Sequence, residues 1–145
     1  MPDAHECARL LLATMPGLMR GLKSCMRPPA DDETLTMGQF RMLDMLSCAP
    51  CTLGELASRH NVTPSTMSRT IDLLVRRQWV ERRDDPSDRR QVILTLSSAG
   101  AAAHEAMQQH TEDALAGMLE RLSDAERGRI YDGLATLRTL LEGAQ

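Results

Sequence analysis

The sequence predicts a mainly α-helical fold that carries one small β-hairpin. Three observations point there. Leu, Ala and ten Met supply most of the apolar volume, with only one Trp, one Tyr and one Phe, and straight-chain residues lose little freedom in helices. Helix-opening signatures recur: Thr36-Met37-Gly38-Gln39, Thr52-Leu53-Gly54-Glu55 and Ser123-Asp124-Ala125-Glu126 share the S/T-x-x-E/Q form of a capping box. Between Trp79 and Leu96 the apolar period shifts from helical to alternating. At 145 residues the chain fits one domain, 1–145. Such a chain can bury roughly two-thirds of its unfolded surface in one core.

The first helix is expected over Ala4 to Met26. Its apolar stretch, Leu10 to Met19, is preceded by acidic Asp3 and Glu6 and broken by Pro16-Gly17. That reads as folded chain and not as a signal peptide. No apolar run approaches the ~18 residues of a membrane span. The helix must end before Pro28-Pro29, because Pro28 drives Arg27 out of the α region. Pro28 to Leu35 is a polar connector. The Thr36 box opens a second helix, with Phe40, Leu43 and Leu46 at helical spacing and Pro50 as its stop.

The Thr52 box starts a short helix that turns Leu53, Leu56 and Ala57 inward and ends near His60-Asn61. Thr63-Pro64 opens the next, with Thr as N-cap and Pro at the first helical position, where its missing N–H costs nothing. Met67, Ile71, Leu74 and Val75 form its apolar stripe. Ser65, Arg69, Asp72 and Arg76 form one continuous polar face. Trp79 to Arg83 and Gln91 to Leu96 read as strands around a polar turn, Asp84 to Arg90. Ser97 caps a long helix running to about Arg121. The Ser123 box opens the last, with Ile130, Leu134, Leu137 and Leu141 on its apolar side.

Charge is distributed unevenly. The whole chain carries −3, but Arg59 to Arg90 holds eight Arg against five acids, a surplus of three, which leaves −6 for the rest. A basic island in an acidic chain suits a protein with one face on phosphate; a solvated, ion-paired helix face has the same composition. The shortage of aromatics argues against modules that stack single-stranded bases on rings. No nucleophile motif, Gly-rich phosphate loop or paired carboxylates are visible, so no enzyme and no cofactor is expected. His104 and His110 are six apart, which is not a same-face spacing for a shared metal.

Two short helices joined by a tight turn and followed by a charged hairpin form a winged helix-turn-helix over residues 35–97. The second helix presents a polar face about one major groove wide. Thr63, Ser65, Thr66 and Ser68 are small enough to let it approach phosphate or base edges. Arg69, one turn on, can reach guanine in bidentate fashion. Arg76 and Arg77 are expected on phosphates, and Asp88, Arg89 and Arg90 in the wing. Such a face could equally bind protein; steep salt dependence with double-stranded DNA would separate the two.

Leu35-Thr36-Met37-Gly38-Gln39-Phe40, the stretch Leu53 to Leu74, and above all Asp85-Pro86-Ser87-Asp88-Arg89-Arg90 followed by Leu96-Ser97-Ser98-Ala99-Gly100 resemble the MarR family of bacterial transcriptional regulators. The lack of a signal peptide or membrane span leads to the expectation of a cytoplasmic protein with no membrane association, and the resemblance implies a homodimer. Helices in 4–27 and 98–143 would interlock, and two winged lobes would sit on a pseudo-palindromic operator. It implies a repressor released by a small-molecule effector or an oxidant. It also puts Arg90 in the minor groove, with Asp88 orienting its guanidinium. One departure stands out: the family usually has Gly then Leu where this chain has Gln78-Trp79. Gly would close a helix in the left-handed conformation, so Gln should cost stability or end the helix differently. Trp79 is expected under the wing, as core.

In the cytoplasm the four Cys should be thiols. Cys48 and Cys51 form a lone C-x-x-C, and Cys7 and Cys25 lie in the first helix. A thiol switch on either pair is an alternative to buried structural cysteines. A zinc site would need His60 or Cys25 to converge on Cys48 and Cys51, and no metal is expected.

Overall fold

A computed structural model describes residues 1–26 and 35–143. Most of the expected connector, Pro28 to Leu35, lies outside them. The elements run α1 (Ala4–Cys25), α2 (Met37–Cys48), β1 (Cys51–Thr52), α3 (Leu53–Arg59), α4 (Pro64–Arg76), β2 (Val80–Asp84), β3 (Val92–Leu96), α5 (Ser98–Leu119) and α6 (Asp124–Glu142). The chain divides into two compact units, Met1–Thr111 and Glu112–Gln145.

All three predicted capping boxes are formed in both directions, at Thr36, Thr52 and Ser123. A fourth, Asp3 with Glu6, opens α1. Its D-x-x-E form was legible beside the others, because Asp caps as well as Ser or Thr does. α1 continues through Pro16.

The core lies in the first unit. Leu43, Leu56, Met67, Ile71, Leu74, Val80 and Leu94 are its fully buried side chains. They come from α2, α3, α4 and two strands, and they merge into a single cluster with Met42, Leu46 and Ala57. The sheet has the order β1-β3-β2 and is antiparallel throughout. β1 is an addition to the predicted hairpin: Cys51 lies opposite Leu94, and Thr52 opposite Ile93. Two residues are too few to show an alternating pattern, so only the partner strand defines it. The hairpin strands start one residue later than expected, at Val80 and Val92.

α5 is tied to α2 within this unit. His104, buried on α5, has its Nε2 3.1 Å from Asp44 Oδ1 and stacks on Phe40 at 5.1 Å. α1 and α6 contribute no buried residue. Leu10, Leu12 and Leu18 on α1, and Ile130, Leu134 and Leu141 on α6, are exposed. No helix among the described residues is long and apolar enough to cross a membrane.

Both helices of the helix-turn-helix end alike. In α3 the N–H of Asn61 bonds to Ser58 O and that of Val62 to Ala57 O. In α4 the N–H of Gln78 bonds to Val75 O and that of Trp79 to Leu74 O. Each is a Schellman closure with its left-handed residue at Asn61 (φ 54°) or Gln78 (φ 60°). Gln78 therefore adopts the conformation a glycine would have taken, instead of ending the helix another way. Asn tolerates that region; Gln gains no such relief. Removing the strained Cβ is worth about 1–2 kcal/mol, and the freer unfolded glycine gives back about 0.5–1. Gln78→Gly should thus stabilise the fold by roughly 0.5–1 kcal/mol, seen as a higher urea midpoint at unchanged slope.

Candidate nucleic-acid interface

α4 is where burial on one side forces chemistry onto the other. Met67, Ile71 and Leu74 are 0% exposed, so Ser65, Arg69 and Arg76, on the remaining face, are exposed. At its start, Thr63 Oγ1 accepts the Thr66 N–H at 3.3 Å and donates to Thr66 Oγ1 at 3.0 Å, with Ser65 Oγ at 3.1 Å. Three hydroxyls thus cluster on one exposed helix end. Ser68 is half-buried.

Two acids near this face are held in ion pairs. Asp72 on α4 pairs with Arg82 on β2, and Glu81 pairs with Arg83 at 2.9 Å. Among the described residues, the guanidinium groups of Arg69, Arg76, Arg89 and Arg90 have no partner. Arg77 does not stand with them. It lies 5.1 Å over the Trp79 ring, and its Nη1 is buried without a hydrogen bond. The stack adds a structural role beside the phosphate contact expected of Arg77. Trp79 itself is half-buried at the edge of the core.

The wing turn is folded by its own carboxylates. Asp85 Oδ1 accepts from Ser87 N–H at 2.8 Å and from Ser87 Oγ at 2.7 Å. The Ser87 hydroxyl, followed by its N–H, holds the Asp85 carboxyl below its ordinary value. Asp88 Oδ1 accepts the backbone N–H of Arg90 at 3.0 Å, and its Oδ2 lies 3.4 Å from Gln91 Nε2. Asp88 was expected to orient the Arg90 guanidinium. It bonds the Arg90 backbone instead, because a turn this tight brings the N–H of residue i+2 to the carboxylate. Arg89 and Arg90 are left exposed at the tip. Three hydroxyls, two arginines on a helix and two on a turn make a surface suited to a polyanion.

A family model described as MarR family matches residues 35–92. The multiple antibiotic resistance protein MarR of Escherichia coli (strain K12) is 35% identical over 109 residues, covering 74% of this chain and 72% of that protein. The crystal structure of wild-type apo MarR from E. coli superposes with a TM-score of 0.72 at 28% identity, covering 100% of this chain and 98% of that one. A mutant form of the same protein, complexed with operator DNA, gives a TM-score of 0.67 at 26% identity and covers 99% of each chain.

All four cysteines are free; Cys7 and Cys48 are exposed, Cys25 half-buried and Cys51 buried. Burial first, and then Glu55, push the Cys51 thiol up, against a smaller opposing pull from Arg59. That is the reverse of an activated thiolate. Cys7 and Cys25 sit on one helix, where eighteen residues at 1.5 Å rise put them about 27 Å apart, too far for a bond within the chain. His60 has its Nε2 buried without a partner, and its pKa is lowered by burial and then by Arg41. Among the described residues no three His, Cys, Asp or Glu gather as metal ligands would. Iodoacetamide should label Cys48 rapidly in the folded protein and Cys51 only at the rate of unfolding. Peptide mass mapping of timed samples gives both rates.

Proposed function

Because the chain belongs to the MarR family, whose members are transcription regulators and not enzymes, we propose that it works as a homodimer on a pseudo-palindromic DNA operator. There it acts in the cytoplasm as a repressor and is released by a small ligand or another signal. The observation that carries this reading is the division of labour among charges around α4 and the wing. Asp72, Glu81, Asp85 and Asp88 are engaged within the fold, while among the described residues Arg69, Arg76, Arg89 and Arg90 have no ion-pair partner. In this reading α4 enters the major groove. Thr63, Ser65, Thr66 and Ser68 face phosphate or base edges, Arg69 reads a base pair, and Arg76 and Arg77 neutralise phosphate. Arg90 enters the minor groove, where narrow A·T tracts concentrate negative potential, and Arg89 flanks it. The operator-bound likeness of MarR supports the docking. The exposed Leu10, Leu12 and Leu18 of α1, and Ile130, Leu134 and Leu141 of α6, support pairing of two copies.

Binding to a selected operator, measured across salt concentrations and against single-base variants, tests the docking. Arg69→Ala should cost about 1–3 kcal/mol and relax preference at one symmetric pair of positions. Arg90→Ala should weaken binding in proportion to A·T content at the wing positions. Arg76→Ala should lower the salt slope by roughly one unit per contact and subunit. If Arg69→Ala weakened all sequences equally and Arg90→Ala changed nothing, the geometry would be wrong. A shallow salt slope for the wild type would favour a protein partner instead.

Assembly has its own test. Removing residues from Ser123 onward should give a monomer by light scattering and abolish operator binding. A monomeric truncation that binds at full affinity would contradict the dimer.

A further inference from the structure

The Gln78-Trp79 pair and the Ser97 to Gly100 segment take no part in the proposed DNA face, yet they meet. The Ser97 hydroxyl donates to the Gln78 carbonyl at 2.6 Å and accepts the Gly100 N–H at 2.9 Å. The Ser97 N–H donates to the Trp79 carbonyl at 3.0 Å. A Cβ on Gly100 would lie 2.0 Å from the Trp79 carbonyl oxygen and 2.8 Å from its carbon. Both are backbone atoms, which cannot swing aside. Gly100 is therefore the residue that lets α5 begin in contact with the exit of α4. Gln78, held at φ 60°, presents its carbonyl to Ser97 from that strained conformation.

We propose that Ser97 and Gly100 are positioning residues for DNA recognition: they bolt the exit of α4 to the start of α5, so that α5 sets the bearing of α4. The inference rests on α4 being the recognition helix. The lever is long enough to matter. α4 has 13 residues, about 20 Å at 1.5 Å each. A tilt of about 6° about its exit moves its first turn by roughly 2 Å, more than a hydrogen bond tolerates. The Ser97 hydroxyl serves twice, as the cap of α5 and as the donor to Gln78. Alanine loses both roles, and threonine keeps both.

The test uses the full chain and a double-stranded oligonucleotide selected by the wild type from a random pool. Versions with one base pair added or removed between the half-sites complete the probe set. Trp79 is the only tryptophan, so its emission reports on the joint directly. Ser97→Ala should weaken binding to the selected oligonucleotide about tenfold, a loss on the scale of one or two hydrogen bonds. It should also narrow the gap between that oligonucleotide and its spacing variants, and shift Trp79 emission to the red. Ser97→Thr should restore all three. Gly100→Ala should act as Ser97→Ala does; should it fail to fold, the Ser97 pair alone decides. A Ser97→Ala protein with a lower thermal midpoint but an unchanged spacing preference and Trp79 spectrum would overturn the proposal, because loss of a cap lowers the folded fraction equally for every probe. A wild type that selects no sequence would overturn the DNA reading and this inference with it.

Discussion

The burial of one stripe of α4 is the constraint on which the rest depends. Met67, Ile71 and Leu74 are fully enclosed by side chains from α2, α3 and the sheet. Each contributes roughly 1.5–3 kcal/mol by leaving water, far more than a surface ion pair would. Once that stripe faces inward, the helical period leaves the rotation of α4 no freedom. Ser65, Arg69 and Arg76 must point outward, whatever they bind. The sheet shares the same core through Val80 and Leu94, so the wing springs from the platform that holds the helix.

Electrostatics then selects which of the outward groups are available. A chain of net charge −3 can still present a basic face if its acids have other work. Asp72 is paired across to Arg82. Asp85 and Asp88 close the wing turn by accepting N–H groups. Those bonds hold both carboxylates in place beside the turn. Among the described residues Arg69, Arg76, Arg89 and Arg90 are left without an ion-pair partner. The C-x-x-C pair follows a different logic: β1 carries Cys51 into the core opposite Leu94, where a thiolate is disfavoured.

Local rules made much of this fold legible in the sequence. Capping boxes act between residues three apart, and apolar stripes repeat every three or four, so Thr36, Thr52, Thr63 and Ser123 announced their helices. The winged arrangement, the polar face of α4 and the acidic, Arg-tipped turn could be read for the same reason. Tertiary structure alone decided what depends on partners distant in sequence. β1 exists only because β3 lies beside it. Arg77 stacks on Trp79, a contact that helical spacing alone did not announce. Asp88 took a backbone N–H in place of a guanidinium once the turn had closed. Gln78 was driven into the left-handed region because the chain had to turn there into β2, and Ser97 and Gly100 receive it from nineteen or more residues away. Sequence spacing specifies which residues share a face. Which atom a side chain finally touches is set by the packing of elements that only the folded chain brings together.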